Sequence, residues 1–494
     1  MNIKRAKNEI KNSVRAYLAK DERGEYLIPS VRQRPILLIG PPGIGKTAIM
    51  EQVARECGVA LLSYTITHHT RQSAVGLPFI EKTFYDGKEY SVTEYTMSEI
   101  VAAVYEKIRA SGLDEGILFI DEINCVSETL APTMLQFLQC KTFGNHKIPE
   151  GWVIVTAGNP PEYNKSVREF DIVTLDRVKR MEVSADYEVW KEYAYEAQIH
   201  GAVLSYLELK KDNFYDVRTT VDGKIFVTAR GWEDLSNMLY AYEKLGIPVD
   251  MEFISEYLQH PKIAQDFANY YDLYRKYKDE YHIEDILAGK ISREAVQQVK
   301  AAGFDERFSI VAHLISGLTT RFAEADYQDH YIREIYDMVV AVKKVHEKSG
   351  EYLRNDVDNV ARDVRTRFEM QKEAGVLSPI AIASVKNALG FMSEMALQDE
   401  FEDIRQAFNE RKKVREQILE ETSACLEHTF DFMEEAFGEE QELVMFVTEL
   451  SMNSHAVRFI AEEGCPRYQR YLALYLTDDA HTELMGEIEA LDEV

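Results

Sequence analysis

The sequence predicts an α/β fold in which helices flank a parallel sheet, followed by a large all-helical region. Short apolar runs alternate with helical patterns between residues 36 and 157, and a glycine-rich segment joins the first run to the first helix. From residue 186 onward, helical periodicity dominates. We therefore expect a core at 1–183 that includes an N-terminal amphipathic helix, a smaller helical segment at 184–260 with one hairpin, and an all-helical domain at 261–494.

The glycine-rich segment reads GPPGIGKT and lies between the apolar run Ile36–Ile39 and a helical pattern. The spacing G-x4-GK[ST] brings backbone N–H groups and a helix N-terminus to one point, where they can bind the β- and γ-phosphates of a nucleotide. Lys46 adds an ammonium group, and Thr47 offers a hydroxyl to Mg²⁺. The alternative, a glycine-rich turn with a chance lysine, is disfavoured by both flanks. The expected nucleotide-binding residues are Gly40, Pro41, Pro42, Gly43, Ile44, Gly45, Lys46, Thr47 and Ala48.

Two further apolar strands end in polar residues. Ile117–Ile120 leads into Asp121 and Glu122. Asp121 would hold Mg²⁺ together with the threonine of the loop, and Glu122 would be the base that orients the attacking water. Asn159 follows the next strand, and its amide could hold that water or the γ-phosphate. The alternatives are a pair of solvated carboxylates at a strand end and an ordinary Asn-Pro turn.

Composition excludes several classes of protein. A chain of 494 residues is too long for one core, and its net charge of −27 disfavours extensive contact with nucleic acid. The five cysteines have neither disulfide nor zinc spacing, so a reducing cytoplasm fits best. The adjacent residues His68 and His69 point apart and have no third metal ligand in view, so they do not indicate a metal site. No apolar run approaches the roughly eighteen residues of a membrane span, and no export signal is visible.

The segments GPPGIGKT, FIDEIN, TAGNP, LDRVKR and TARGWEDL together resemble the AAA+ ATPases, and most closely the MoxR-like group of the helix-2-insert clade. The resemblance covers about residues 30–245. It implies an αβα sandwich with a five-stranded parallel sheet, a lid subdomain at 184–260, and ATP and Mg²⁺ as cofactors. The hairpin signals at Asp86-Gly87 and Gly144-Asn145 look like the helix-2 and pre-sensor insertions of this clade, although they could be simple connections.

The resemblance also implies roles for residues outside the glycine-rich loop. Asn159 matches the first sensor, and Arg230 falls at the second sensor, at the start of a lid helix. Arg177 matches the arginine finger that reaches the γ-phosphate of a neighbouring subunit. The family usually has Phe after this Asp-Arg pair, where this chain has Val, and both Arg168 and Arg180 are close enough in sequence to be the finger instead. A surface salt bridge is the alternative for Arg177.

These expectations describe a Mg²⁺-dependent ATPase that assembles into a homo-oligomeric ring, a hexamer, and remodels protein clients as a chaperone-like motor. The resemblance implies a partner that carries a von Willebrand factor A domain with a metal-dependent adhesion site. A nucleotide-gated binding module with slow ATPase activity, in which the helical half is a scaffold, is the alternative. A nucleic-acid-associated ring motor is a weaker option that the charge disfavours.

Overall fold

The structure is a computed structural model that describes residues 1–68, 72, 74, 76–143, 146–163, 167, 170–221, 223–349 and 352–475. The chain divides into two compact units. Residues 1–186 and 359–385 form the first unit; residues 187–358 and the described residues from 386 onward form the second. The first break lies close to the boundary predicted at 183. The further division at 260 stays a prediction.

The described strands lie in the first unit except for the last two, which form a hairpin between helices of the second unit. They are β1 (Ile36–Ile39), β2 (Ala60–Thr65), β3 (Pro78–Tyr85), β4 (Lys88–Tyr95), β5 (Gly116–Asp121), β6 (Thr142–Phe143), β7 (His146–Lys147), β8 (Trp152–Gly158), β9 (Lys179–Glu182), β10 (Asp216–Thr220) and β11 (Gly223–Val227).

The described helices of the first unit begin with α1 (Ile3–Leu18), α2 (Lys46–Cys57), α3 (Glu99–Ser111), α4 (Ala131–Cys140) and α5 (Ile172–Leu175). The chain continues with α6 (Tyr187–Glu196), α7 (Gly201–Leu209), α8 (Ala229–Leu245), α9 (Met251–Tyr257), α10 (Pro261–Glu280), α11 (Ile283–Leu287), α12 (Arg293–Ala301), α13 (Phe304–Ser349), α14 (Leu353–Ala374), α15 (Pro379–Met395), α16 (Phe401–Phe437), α17 (Gln441–Met452) and α18 (Ser454–Glu463). None of the helices in the described part of the chain combines the length and the apolar character that crossing a bilayer requires.

The central sheet confirms the predicted fold class. It has five parallel strands in the order β2-β5-β8-β1-β9. Strands β5 and β8 are buried almost throughout, as expected where helices cover both faces of a parallel sheet. The edge strand β9 was not among the strands predicted from the sequence. In β9 the buried Met181 lies between the exposed Arg180 and Glu182, so it lacks a continuous apolar run.

Because β1, β5 and β8 are parallel, the polar residues that follow them lie at the same edge of the sheet. In the register of the sheet, Ile39 pairs with Gly158, and Ile120 pairs with Thr156. The carboxyl ends of the three strands therefore meet at one edge, where open α/β sheets bind ligands. The glycine-rich loop, the Asp121-Glu122 pair and Asn159 all follow directly from this edge.

Within the described residues, three antiparallel hairpins lie outside the central sheet. The Asp86-Gly87 turn joins β3 to β4, and both residues have positive φ (48° and 77°), as a type I′ turn requires. This confirms the first predicted hairpin. Strands β6 and β7 pair on either side of Gly144-Asn145, and β10 pairs with β11 around Asp222, but these three turn residues lie outside the described part of the chain.

The N-terminal helix α1 is amphipathic, as predicted. Ala6, Ile10 and Val14 are fully buried along one side, and the helix packs against α2. On its polar side, Lys7 pairs with Glu56 of α2 at 3.0 Å. The helix therefore packs as part of the first unit.

A segment from the helical half of the sequence also packs in the first unit. Residues 359–385 comprise most of α14 and the beginning of α15. Lys107 of α3 donates to Glu373 at 3.3 Å, and the Met370 side chain lies against Gly112. The sequence interpretation had placed this segment in the C-terminal domain, because its helical pattern gives no sign of what it packs against.

A buried ion-pair cluster joins helices of the second unit. Lys191 of α6 is 2% exposed, and its Nζ lies 2.5 Å from Glu208 of α7 and 2.5 Å from Glu449 of α17. Tyr195 donates a further hydrogen bond to Glu449. Burial raises the pKa of the Glu449 carboxyl, although Lys191 and Tyr195 oppose that shift. The cluster is stable only while its charges remain paired.

Lys191→Met should lower the free energy of unfolding of the second unit by about 3–5 kcal/mol, because it leaves the buried Glu449 carboxylate without its cation. Urea unfolding followed by tryptophan fluorescence measures the loss. The control is Lys210→Met, which removes a half-exposed pair with Asp266 and should cost about 0–1 kcal/mol. Equal losses in the two variants would contradict the importance of the buried cluster.

Candidate active site

Lys46 connects the glycine-rich loop to the end of β8. Its side chain is buried, and Nζ donates to the carbonyl oxygens of Gly40 and Pro41, both at 2.8 Å. Nζ also donates to Asn159 Oδ1 at 2.9 Å. The loop lysine and the predicted sensor asparagine are thus in direct contact.

Two glycines give the loop its shape. Gly43 and Gly45 have φ values of 72° and 90°, in the left-handed region that favours glycine. Gly45 is the N-cap of α2, so the unpaired N–H groups of that helix begin at Lys46. A helix N-terminus and a lysine ammonium at one point form a site for an anion such as phosphate.

Thr47 and Asp121 lie side by side. Thr47 Oγ1 donates to Asp121 Oδ2 at 3.2 Å, and Asp121 Oδ1 accepts the backbone N–H of Glu122 at 2.8 Å. A hydroxyl and a carboxylate in contact are hard oxygen ligands of the kind that Mg²⁺ takes alongside substrate phosphates. The residues present therefore fit a Mg²⁺ ion held by Thr47 and Asp121.

Glu122 has a strained backbone and a fixed carboxylate. Its φ and ψ are 56° and 33°, a left-handed conformation that is uncommon for a residue other than glycine and often marks functional sites. Oε2 accepts a hydrogen bond from Thr67 Oγ1 at 3.1 Å. The pKa of the nearby Cys125 thiol is raised, first by burial and then by the negative charges of Glu122 and Asp121.

Two polar residues of the site had no role in the sequence interpretation. Thr67 lies in the 3₁₀ turn after β2, and Asn124 in the 3₁₀ turn after β5, where Asn124 Nδ2 donates to the Asn159 carbonyl at 2.8 Å. Thr67 can be recognised only from the strand order. Because β2 pairs with β5 so that Thr65 lies opposite Asp121, the turn after β2 lies beside the turn after β5. Asn124 is the last residue of the motif FIDEIN, but the motif does not show that its side chain binds the Asn159 carbonyl.

The three candidate arginine fingers differ in their surroundings. Arg177 lies between α5 and β9, is exposed, and makes no ion pair with any residue that the structure describes. Arg180 on β9 pairs with Glu182 at 2.5 Å. Arg168 lies outside the described residues, as do His69 and the side chain of His68.

Arg230, the predicted second sensor, belongs to the second compact unit. It is the second residue of α8 and is exposed. The helix begins with a side-chain cap, since Thr228 Oγ1 accepts from the N–H of Gly231 at 3.2 Å. The structure thus brings together Lys46, Thr47, Asp121, Glu122 and Asn159, whereas Arg230 lies in the other unit.

The space beside the loop suits a small-molecule ligand. An open pocket of about 680 Å³ lies at the carboxyl edge of the sheet, and Gly40, Pro41, Asn159 and Arg180 line it. Ligand sites typically measure about 300–1,000 Å³. Lys46, Thr47, Asp121 and Glu122 are not among the residues that line this pocket.

Residues 36–175 match the family model described as "ATPase family associated with various cellular activities (AAA)". The first unit contains an AAA ATPase domain. Its matched region runs from β1 to α5 and includes the loop lysine, both carboxylates and Asn159, whereas Arg177 and Arg230 follow it. The AAA ATPase domain is accordingly a nucleotide-binding P-loop domain. No curated protein matches the chain.

Thr67→Val should reduce the steady-state rate of ATP hydrolysis by roughly 10-fold, because the Glu122 carboxylate loses the hydroxyl that orients it. Phosphate release measures the rate, and the affinity for ATP should stay close to that of the wild type. Thr67→Ser keeps the hydroxyl and should recover most activity. The matched control is Thr65→Val, at an exposed threonine two residues earlier, where β2 ends. A Thr67→Val variant as active as this control would refute the role of the contact.

Proposed function

We propose that the AAA ATPase domain hydrolyses ATP with Mg²⁺ as its metal ion. The observation that carries this proposal is the meeting of three strand ends. They place Lys46 against Asn159 and Thr47 against Asp121, with Glu122 in the next position along the chain. Phosphoryl transfer needs mainly positioning and stabilisation of charge, and these groups supply both.

The loop and the α2 N-terminus would bind the triphosphate. Lys46 Nζ and the first N–H groups of α2 provide positive charge for the β- and γ-phosphates. Thr47 and Asp121 would hold Mg²⁺, which when bound neutralises charge that develops on the phosphate oxygens. Binding alone would thus depend on Lys46 more than on the carboxylates.

Glu122 and Asn159 act on the water. The Glu122 carboxylate, held by Thr67, accepts a proton as water attacks the γ-phosphorus and the bond to the β-phosphate oxygen breaks, which yields ADP and inorganic phosphate. The side-chain oxygen of Asn159 accepts a hydrogen bond from Lys46, so its NH₂ group would orient the water or the γ-phosphate.

We further propose that the subunits form a ring, a hexamer of MoxR-like type, in which Arg177 completes the site of the neighbouring subunit. Support comes from the resemblance of the segments FIDEIN and LDRVKR and from the exposed position of Arg177, which contrasts with the ion-paired Arg180. Arg230 would sense the nucleotide from the lid. Such a ring would remodel protein clients, with a von Willebrand factor A domain protein as its partner.

Charge and cysteine chemistry support a protein client in a reducing compartment such as the cytoplasm. The net charge of −27 favours protein partners over nucleic acid. All five cysteines are free thiols, and disulfides are uncommon in reducing compartments.

Glu122→Gln should retain ATP binding and lose at least about 100-fold in turnover, because the amide cannot accept the proton of the attacking water. Lys46→Ala should lose affinity for ATP itself. Fluorescent nucleotide binding and phosphate release separate the two effects, and Glu106→Gln, on the exposed side of α3, is the matched control. Normal affinity in Lys46→Ala would refute the site. A wild type that binds ATP without turnover would favour the nucleotide-gated scaffold.

A further inference from the structure

Asn124 joins two parts of the active site. It lies in the turn that directly follows Glu122, and its side chain is buried. Its Nδ2 donates to the main-chain carbonyl of Asn159 at 2.8 Å. Asn159 in turn accepts a hydrogen bond from Lys46 at its side-chain oxygen. The side-chain amide of Asn124 thus links the turn after Glu122 to Asn159, the residue that contacts Lys46.

The orientation of the Asn124 amide is determined by its partner. If Nδ2 and Oδ1 exchanged places, a carbonyl oxygen would face the carbonyl oxygen of Asn159, and two acceptors repel each other. In the orientation observed, Oδ1 is buried and has no hydrogen-bond partner within the described ranges. A buried acceptor without a partner is destabilising, so an apolar side chain of similar size would pack better here. Packing alone does not explain an asparagine at this position.

Gly158 provides the space that the Asn124 amide occupies. A Cβ built on Gly158 would overlap the amide, and its three nearest atoms are Oδ1, Cγ and Nδ2 of Asn124. Any side chain at position 158 would therefore displace the amide from the carbonyl of Asn159. Gly158 and Asn124 are therefore complementary, because the missing side chain of Gly158 leaves the space that the Asn124 amide fills.

We propose that Asn124 is a positioning residue for ATP hydrolysis. It fixes the main chain of Asn159 relative to the turn that carries Glu122, so that the ends of β5 and β8 keep one register around the γ-phosphate and the attacking water. The inference rests on the proposed hydrolysis and adds a residue to it. Among the described residues, the Asn124 side chain donates its hydrogen bond to Asn159 and not to Lys46 or Glu122, so it acts through Asn159.

Asn124→Asp tests the donor, because aspartate has the same shape but presents an oxygen to the Asn159 carbonyl. Its kcat should fall roughly 10- to 100-fold, whereas its Kd for a fluorescent ATP analogue should change less than about 3-fold, because a displaced Asn159 affects the reaction geometry more than binding. Gln33→Glu is the matched control: the same amide-to-acid exchange at another buried residue, near the opposite edge of the sheet. It should leave kcat unchanged.

Two double variants separate positioning from folding. If Asn124 acts through Asn159, Asn124→Asp combined with Asn159→Ala should lose clearly less kcat than the product of the two single losses, whereas fully multiplicative losses would overturn the proposal. Asn124→Ala with Gly158→Ala refills the space left by the amide. Its melting temperature should recover relative to Gly158→Ala, and its kcat should stay low. Recovery of kcat as well would show a merely structural role and overturn the proposal.

The outcomes for the inference and for the proposed function are distinct. A wild type whose hydrolysis depends on Glu122, together with an Asn124→Asp variant within about 2-fold of it, overturns the inference and leaves the proposed function intact. A wild type that binds ATP and never hydrolyses it overturns both.

Discussion

The hydrogen bond from Lys46 to Asn159 is the interaction on which the site depends. The two residues are 113 positions apart in sequence, and they meet because β1 and β8 are adjacent parallel strands that end at the same level. The sheet order β2-β5-β8-β1-β9 is therefore a requirement of the chemistry as well as of the core. A buried ammonium needs hydrogen-bond partners, and the loop carbonyls and Asn159 supply them. Any nucleotide that binds at the α2 N-terminus would approach this ammonium.

Three of the four neighbouring strand pairs of the sheet each add one contact to the network at this edge. Between β2 and β5, Thr67 holds Glu122; between β5 and β8, Asn124 holds the main chain of Asn159; and between β8 and β1, Asn159 meets the loop lysine. The hydrogen bonds follow the strand order without a gap from β2 to β1. Such a network can hold reacting groups within the small tolerances that phosphoryl transfer requires, because each side chain is fixed by its neighbour.

Sequence patterns predicted the parts of this arrangement that are local. The P-loop, the strand ending at Asp121-Glu122 and the Asp86-Gly87 turn are written in consecutive residues, so their structure follows from spacing alone. Contacts between strand ends are not local, and Thr67 becomes a partner of Glu122 only once β2 is known to lie beside β5. The edge strand β9 lacks an apolar run because only Met181 faces the core. Helical periodicity likewise could not show that residues 359–385 pack in the first unit, because it identifies a buried face without its partner.

The central claim is that this edge of the sheet is an ATPase site that becomes complete when subunits assemble. The rate of phosphate release per subunit, measured in Mg²⁺ over a wide range of protein concentration, tests it most directly. The account predicts a rate that rises with concentration to a plateau and that disappears when Mg²⁺ is chelated. Phosphate release that stays at background at every concentration, while Mg²⁺ and ATP still bind, would contradict it.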